Sequence, residues 1–423
     1  MGYEEELSLE NEYVMRNYAR KPVEFVEGSG MQLRDSEGKS YLDFLSGIGV
    51  VSLGHCHPAL VQALDEQSHK LIHVSNYYYI EGRGELARDL SGLLNEGVPE
   101  AEREPWQTFF ANSGAEANEC AIKLARLYAK KQAAARIREA GGDEEAARAA
   151  AEGAPRLIVT LERSFHGRTL ATLAATAQPS KQEAFQPLPD GFIRTPINDV
   201  EALERLFDEQ GDDICAVLVE CVQGESGVHP CTAEFLQAVR RLTEQVGALF
   251  MCDEVQCGMF RCGTHPFAYQ HFGVLPDVVT IAKGVASGMP MGACAARASV
   301  AQAFEPGDHG STFGGSNLAI ACARATLATI EEEGIAENVT RVGEHLRAGL
   351  EELPGGVEVR GLGLMRAAEL DEGLSAPDVV SRALDAGLVL NATGPSTLRF
   401  LPPLVCTEAD VDEMLSRLRP LLA

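Results

Sequence analysis

Val278-Val279-Thr280-Ile281-Ala282-Lys283-Gly284 is the stretch whose reading decides the fold. A short apolar run closed by a lysine and a glycine predicts a buried strand of a parallel sheet. A second run of this kind, Ala248-Leu249-Phe250-Met251-Cys252, ends in Asp253-Glu254. In an open α/β sheet the carboxyl ends of the strands form the ligand crevice. A lysine and a carboxylate delivered there point to covalent amine chemistry on a carbonyl cofactor. The same two residues also fit a buried structural ion pair.

Working outward, further strand candidates are Thr108-Phe109-Phe110-Ala111, Leu157-Ile158-Val159-Thr160 and Ala216-Val217-Leu218-Val219. Between them, Phe235-Leu236 and Ala238-Val239, with Leu242 and Val246, carry helical spacing. Strands alternating with helices predict a mainly parallel α/β sheet. Near the N-terminus, Val23–Val26 and Met31–Leu33 flank Gly28-Ser29-Gly30, a hairpin signature. From Leu318 to about Leu350 the pattern is helical, and strand-like pieces follow at Val357–Val359, Leu388–Leu390 and Leu398–Leu401. These predict a smaller α+β domain, residues 318–423, which the N-terminal residues 1–59 are expected to join, beside a large α/β domain over 60–317. Residues 131–155, rich in Ala, Glu and Arg around Gly141-Gly142, read as a solvated helical insertion.

The chain has 423 residues, 45% of them hydrophobic, which is ample for a core. It carries 62 acidic against 36 basic residues, a formal net charge of -26. That balance argues against nucleic acid and against an anionic membrane surface as partners. It also makes any site for an anionic substrate depend on locally placed cations. The 11 cysteines lie mostly inside apolar runs and form no Cys-x-x-Cys pair, so they read as reduced, small hydrophobes. His55-Cys56-His57 suggests a metal, but Pro58 follows and no distant ligand pair completes a site, so none is expected. The start, Met1 to Glu6, is too acidic for a signal peptide, and no stretch approaches the roughly 20 apolar residues of a membrane span. A reduced, cytoplasmic enzyme is the expectation.

Two segments add chemistry. Asn112-Ser113-Gly114-Ala115-Glu116 follows a strand and opens a helix. Its backbone N–H groups and the helix N-terminus could cradle a phosphate. Ser113 with Glu116 equally reads as a capping box, and both can hold at once. Phe165-His166-Gly167-Arg168 follows the strand at 157–160. There an aromatic ring could stack on a planar cofactor and an arginine could grip a carboxylate. An ordinary loop with a surface arginine has the same look.

In order along the chain, these pieces resemble the class III pyridoxal-phosphate aminotransferases, in their ornithine and acetylornithine group. The matching residues are Leu42–Gly47, Gly54–Pro58, Asn112–Glu119, Phe165–Thr169, Gln223-Gly224-Glu225, Asp253–Gln256, Ala282-Lys283-Gly284, Gly310–Gly315 and Leu398–Pro403. They span the chain from about Tyr13 to the C-terminus, except for the 131–155 insertion. The resemblance implies the fold type I PLP-dependent transferase architecture, an α/β class with a mainly parallel seven-stranded sheet flanked by helices and a smaller α+β domain. It implies pyridoxal 5'-phosphate as cofactor. Lys283 would carry it covalently and later move the substrate proton, while Asp253 would keep the ring nitrogen protonated. Gln256 would bond the ring hydroxyl, Phe165 would stack on the ring, and Ser113, Gly114 and Ala115 would hold the phosphate. Thr312 would reach the phosphate of a neighbouring subunit, which implies a homodimer with shared active sites.

For substrates the resemblance implies two arginines. Arg168 would hold the α-carboxylate of an ω-amino acid, and Arg399 that of glutamate or 2-oxoglutarate. Glu225 would mask Arg399 while the first substrate is bound, which avoids the several kcal/mol of an unpaired buried guanidinium. Ile48 and Ser311 would complete the substrate site. Ornithine aminotransferases carry a tyrosine at the Ile48 position, and its absence favours an acylated α-nitrogen. Transfer of the distal amine of N2-acetylornithine to 2-oxoglutarate, a step of arginine biosynthesis, is therefore expected. Succinylornithine, N-succinyl-diaminopimelate, a lysine-pathway precursor and ornithine are the alternative substrates within the family, and a glutamate-1-semialdehyde aminomutase, an isomerase on the same scaffold, is the alternative of another reaction class. Phe260, where relatives usually have glycine, is expected to bear on the loop near the entrance.

Overall fold

The runs read as buried strands are covered on both faces. In Ile214–Val219, Ala216 and Leu218 point into one apolar cluster with Ile122, Leu124 and Met251. Val217 and Val219 point into another with Phe235, Phe250 and Val279. Alternation between two cores explains why these strands read as continuous apolar runs rather than as an in–out pattern. The computed structural model describes residues 2–423, and Met1 of the acidic start lies outside them.

Seven strands form the central sheet, in the order Trp106–Ala111, Gly292–Arg297, Val278–Ile281, Leu249–Asp253, Ile214–Val219, Leu157–Leu161, Phe192–Thr195. All pair in parallel except Gly292–Arg297, which is antiparallel to both neighbours. The chain leaves Ile281, turns through Lys283 and returns at Gly292 after ten residues, a connection too short for the crossover a parallel partner needs. Sequence reading missed this strand because Gly-Ala-Cys-Ala-Ala-Arg lacks the β-branched and aromatic residues that mark strands. Phe192–Thr195, at the sheet edge, was missed as well.

Helices flank the sheet. The longest, Gly114–Glu139, runs on into the 131–155 stretch and turns at Gly141 (φ +81) into a second helix, Glu144–Glu152. Asp143 caps that second helix by accepting from Ala146 N at 2.8 Å. The helical pattern from Leu318 is two helices, Asn317–Glu332 and Ile335–Glu351, parted by Gly334 in the left-handed region at φ +62.

Phe25–Ser29 and Gln32–Asp35 form the N-terminal hairpin. Its turn lies at Gly30-Met31, and Gly28 and Ser29 belong to the strand. Ser40–Asp43 continues that sheet and pairs in parallel with Leu388–Val389, near the other end of the chain. A further sheet joins Gly356–Leu362, Met365–Leu370, Thr397–Phe400 and Asn391–Ala392. Leu42, Phe44, Val339, Leu398, Phe400 and Met414 meet in one apolar cluster beneath these two sheets.

Phe260 belongs to that cluster and is buried. It takes φ +64, which a glycine would adopt without strain. It lines a groove with Asp89, Leu93 and Arg324 and does not line the cavity beside Lys283. The expected influence on the entrance is corrected accordingly: the side chain faces the core. His55 Nε2 lies 2.8 Å from Asp43 Oδ2, and His57 Nδ1 caps a helix by accepting from Ala59 N at 3.3 Å. Among the described residues no helix is long and apolar enough to cross a membrane.

Candidate active site

Lys283 and Asp253 emerge together at the carboxyl edge of the sheet because their strands are parallel neighbours, Asp253 opposite Thr280. A cavity of about 420 Å³ opens there, lined by both residues. It also takes in Ser113, Gly114 and Ala115 of one helix N-terminus, the Phe165–Arg168 turn, Glu220 and Gln256. Lys283 holds φ +46, a conformation costly for a non-glycine residue, which turns its side chain off the end of the strand. Burial lowers the pKa of its ammonium, outweighing the opposing pull of Glu225 and Asp253. The neutral, nucleophilic amine is thereby favoured.

Asp253 is buried and held from three sides. Asn118 Nδ2 and His166 Nδ1 donate to its Oδ2 at 2.7 and 2.8 Å, and Val255 N donates to Oδ1 at 3.1 Å. Asn118 is itself oriented by Thr280, whose Oγ1 donates to Asn118 Oδ1 at 2.7 Å. This network fixes the carboxylate at the cavity wall.

The helix start is built for close approach. Ser113 Oγ accepts from Glu116 N at 3.2 Å, while the Glu116 carboxylate accepts from Asn112 N at 2.8 Å. The cap is therefore shifted by one residue from the box expected. The first helical N–H groups, Gly114 and Ala115, have no intrahelical acceptor and face the cavity. A Cβ at Gly114 would lie 2.6 Å from Val255 Cγ1, and one at Gly292 would lie 2.2 Å from Ser113 O. Only glycines let strand, turn and helix meet this closely.

Arg399 is 1% exposed and closed off on every side. Its Nη1 lies 2.7 Å from Glu225 Oε1 and donates to Gln256 Oε1 at 3.1 Å and Gly224 O at 3.0 Å. Its Nη2 donates to Asn391 Oδ1 at 2.8 Å. Gln256 Nε2 also donates to Glu225, at 3.0 Å, so Gln256 is engaged with the ion pair. Burial alone would raise the Glu225 pKa, but Arg399 and Lys283 hold it down at about 2. Arg168 is exposed at the cavity mouth, its guanidinium carbon 5.6 Å from the centre of the Phe165 ring.

Three expected site residues lie elsewhere in the single chain. Ile48, at φ +67 in an exposed turn, does not line the cavity, although Val50 does. Ser311 and Thr312 line a separate groove with Tyr77, Tyr79 and Arg83. Ser311 touches the cavity wall only through Asn112, whose Nδ2 donates to Ser311 Oγ at 3.2 Å.

Sequence reading also missed residues. Asn118 and His166 fell inside quoted motifs but were given no role. Glu220 was passed over, yet it lines the cavity and binds two loops together, accepting from Phe165 N at 2.9 Å and Gly224 N at 3.2 Å. Burial pushes its pKa up to about 7, against the opposing pull of His166. The signal that singled out Asp253, a carboxylate just past a buried strand, could have found Glu220 after Ile214–Val219.

A buried lysine, a buried carboxylate, free helix-terminal N–H groups and an aromatic wall fit a planar, phosphorylated aldehyde with a basic ring nitrogen. The sequence profile of the class-III aminotransferases matches residues 13–422. The acetylornithine aminotransferase of Caldanaerobacter subterraneus subsp. tengcongensis is 43% identical over 421 residues, covering 99% of this chain and 99% of that protein. Among solved structures, the N-acetylornithine aminotransferase of Stenotrophomonas maltophilia is 35% identical with a TM-score of 0.77, covering 98% of each chain. The ornithine aminotransferase of Toxoplasma gondii, with partial occupancy of PLP at its active site, is 28% identical with a TM-score of 0.87, covering 99% of this chain and 94% of that one.

Proposed function

The chain belongs to the class-III aminotransferases, and from that premise we propose that it moves the distal amino group of N2-acetylornithine to 2-oxoglutarate. The products are N-acetylglutamate 5-semialdehyde and glutamate, a step of arginine biosynthesis. Pyridoxal 5'-phosphate supplies an aldehyde that accepts the amine and a ring that withdraws electrons from the carbon losing its proton.

Gly114 and Ala115 would donate N–H groups to the phosphate, Phe165 would stack on the ring, and Asp253 would hold a proton on the ring nitrogen. Asn118 and His166 keep Asp253 in place for that task. Lys283 would hold the cofactor and, once freed by the incoming amine, its Nζ would take the proton from the substrate's amine-bearing carbon and pass it on across the intervening nitrogen. Arg168 holds the carboxylate of the ω-amino acid at the mouth. Arg399 stays covered by Glu225 in that half-reaction and binds the α-carboxylate of 2-oxoglutarate in the other. Gln256 joins Glu225 and Arg399 in the closed arrangement and turns to the ring hydroxyl when the pair opens.

One observation carries the reading of two half-reactions: Arg399 is buried and paired through Nη1 with Glu225 at 2.7 Å, while Arg168 stands open at the mouth. That asymmetry suits a donor with one carboxylate and an acceptor with two. An aminomutase, which needs no second substrate, gains nothing from a maskable arginine.

The working unit is a homodimer with shared sites. The groove holding Thr312 is bordered by Tyr77 (95% exposed), Tyr79 (101%) and Phe313 (63%), large apolar side chains that a second copy would cover. All eleven cysteines are free thiols, ten of them buried, which supports a reducing, cytoplasmic setting.

The test is a single half-reaction followed by visible absorbance. Holoenzyme mixed with N2-acetylornithine alone converts rapidly to the amine form of the cofactor, and ornithine converts it slowly. Conversion by neither donor, with glutamate still effective, would move the donor to the lysine-pathway compounds. Conversion by nothing would overturn the transaminase reading.

A further inference from the structure

Lys181 has no part in the reaction as described, yet it lies near Phe165, a cavity-lining residue, on a segment fixed to the Phe165 turn. It lies in the short helical turn Pro179–Gln182. Gln178 Nε2 donates to Arg163 O at 3.2 Å and Ser164 O at 3.1 Å, tying the segment to the residues just before Phe165. Gln182, buried, donates to Leu173 O at 2.8 Å and Thr176 O at 2.6 Å and accepts from Arg194 Nη2 at 3.1 Å. Lys181 is therefore presented by an anchored backbone.

Its Nζ lies 5.6 Å from the centre of the Phe165 ring, the same distance as the Arg168 guanidinium carbon. Two cations thus flank one ring. The polar partner of Lys181 Nζ is the neutral Gln178 side chain. Among the described residues no carboxylate forms an ion pair with Lys181 or Arg168. In a chain with 62 acidic residues against 36 basic ones, a neighbouring pair of cations without a carboxylate is unexpected. Glu225, the carboxylate whose charge acts on Lys181, is committed to Arg399 at 2.7 Å. Burial and Arg168 both lower the Lys181 pKa, and Glu225 opposes them, so Lys181 feels Arg168 as a repelling charge. Such a pair is relieved by an anion placed between them.

We propose that Lys181 is a specificity-determining residue that forms, with Arg168, a two-cation clamp for the substrate carboxylate remote from the reacting carbon. The clamp selects ω-amino acids and keto diacids over amines and keto acids that end in an apolar group. The inference rests on the reading of the site above, and it concerns both half-reactions. N2-acetylornithine carries its carboxylate at the far end from the reacting amine, and 2-oxoglutarate carries its second carboxylate at a similar reach.

The experiment compares wild type, Lys181→Met and Lys181→Arg holoenzymes on two matched pairs. One pair is N2-acetylornithine and N-acetylputrescine, the same molecule without the carboxylate. The other is 2-oxoglutarate and pyruvate, which lacks the distal carboxylate. Lys181→Met is expected to lower kcat/KM about tenfold for N2-acetylornithine and 2-oxoglutarate, through KM, the size of one charge-assisted contact. It leaves N-acetylputrescine and pyruvate within about twofold, Lys181→Arg restores the loss, and the loss shrinks in high salt. Equal losses on all four compounds, or no loss on any, would overturn the clamp. If wild type takes 2-oxoglutarate but not N2-acetylornithine, the donor assignment fails while the acceptor pair still decides the role of Lys181.

Discussion

The proposed two-substrate arrangement turns on Glu225. Its carboxyl is held at about 2, below the ordinary 4.5, by Arg399 and Lys283 despite its burial. A carboxyl depressed in this way stabilises the fold fully above about pH 4.5, and that contribution is lost as pH falls toward 2. Glu225→Gln should therefore cost about 3 kcal/mol at neutral pH, and the gap to wild type should narrow steadily below pH 4.5. Thermal melting across that range checks it; a gap that does not change with pH would mean the pair contributes no stability. The same variant removes the charge that neutralises Arg399 in the closed arrangement. Glutamate should then convert the cofactor at least as readily as in wild type, while N2-acetylornithine loses about tenfold in kcat/KM. Stopped-flow comparison of the two half-reactions separates these effects.

Among the elements, the helix Gly114–Glu139 and the strand Gly292–Arg297 matter most for the site. Gly292 has no room for a methyl group against Ser113 at the helix start, and Gly114 has none against Val255. Gly114→Ala would push Val255, and with it the loop that follows Asp253. The expected outcome is a loss of about 1–3 kcal/mol in stability and about tenfold weaker binding of pyridoxal 5'-phosphate, the size of one lost N–H contact to an anion. Titration of the apoenzyme with the cofactor measures this, and unchanged affinity would show that the helix start does not hold the phosphate. The element scale also shows where sequence reading stopped. Val278–Ile281 and Leu249–Asp253 were legible because burial on both faces writes itself as an apolar run. Gly292–Arg297 was not, because close packing against Ser113 selected small residues that look like no strand.

For the whole molecule, a single chain leaves Thr312 and Ser311 in a groove away from Lys283, beside exposed Tyr79 and Phe313. If a second copy covers that groove, each site takes Lys283 from one chain and Thr312 from the other. Lys283→Ala should be inactive and Thr312→Ala weakened. Hybrid dimers, made by mixing and refolding the two variants, should then recover a site with both residues intact. Activity rising above that of Thr312→Ala alone is the expected result; strict averaging of the two variants would mean that each chain completes its own site.

The amino-acid sequence by itself determined the class of sheet, the placement of Lys283 and Asp253 at strand ends, and the glycine at the helix start. These follow from local runs, and a strand or a helix cap is decided within a few residues. Tertiary structure alone decided the rest. Asn118 meets Asp253 across 135 positions, Glu220 ties Phe165 to Gly224, and Glu225 masks Arg399 across 174. Ser40–Asp43 finds its parallel partner in Leu388–Val389. No periodicity records such pairings. A buried polar group needs a partner wherever the folded chain can bring one, and sequence distance does not enter that requirement.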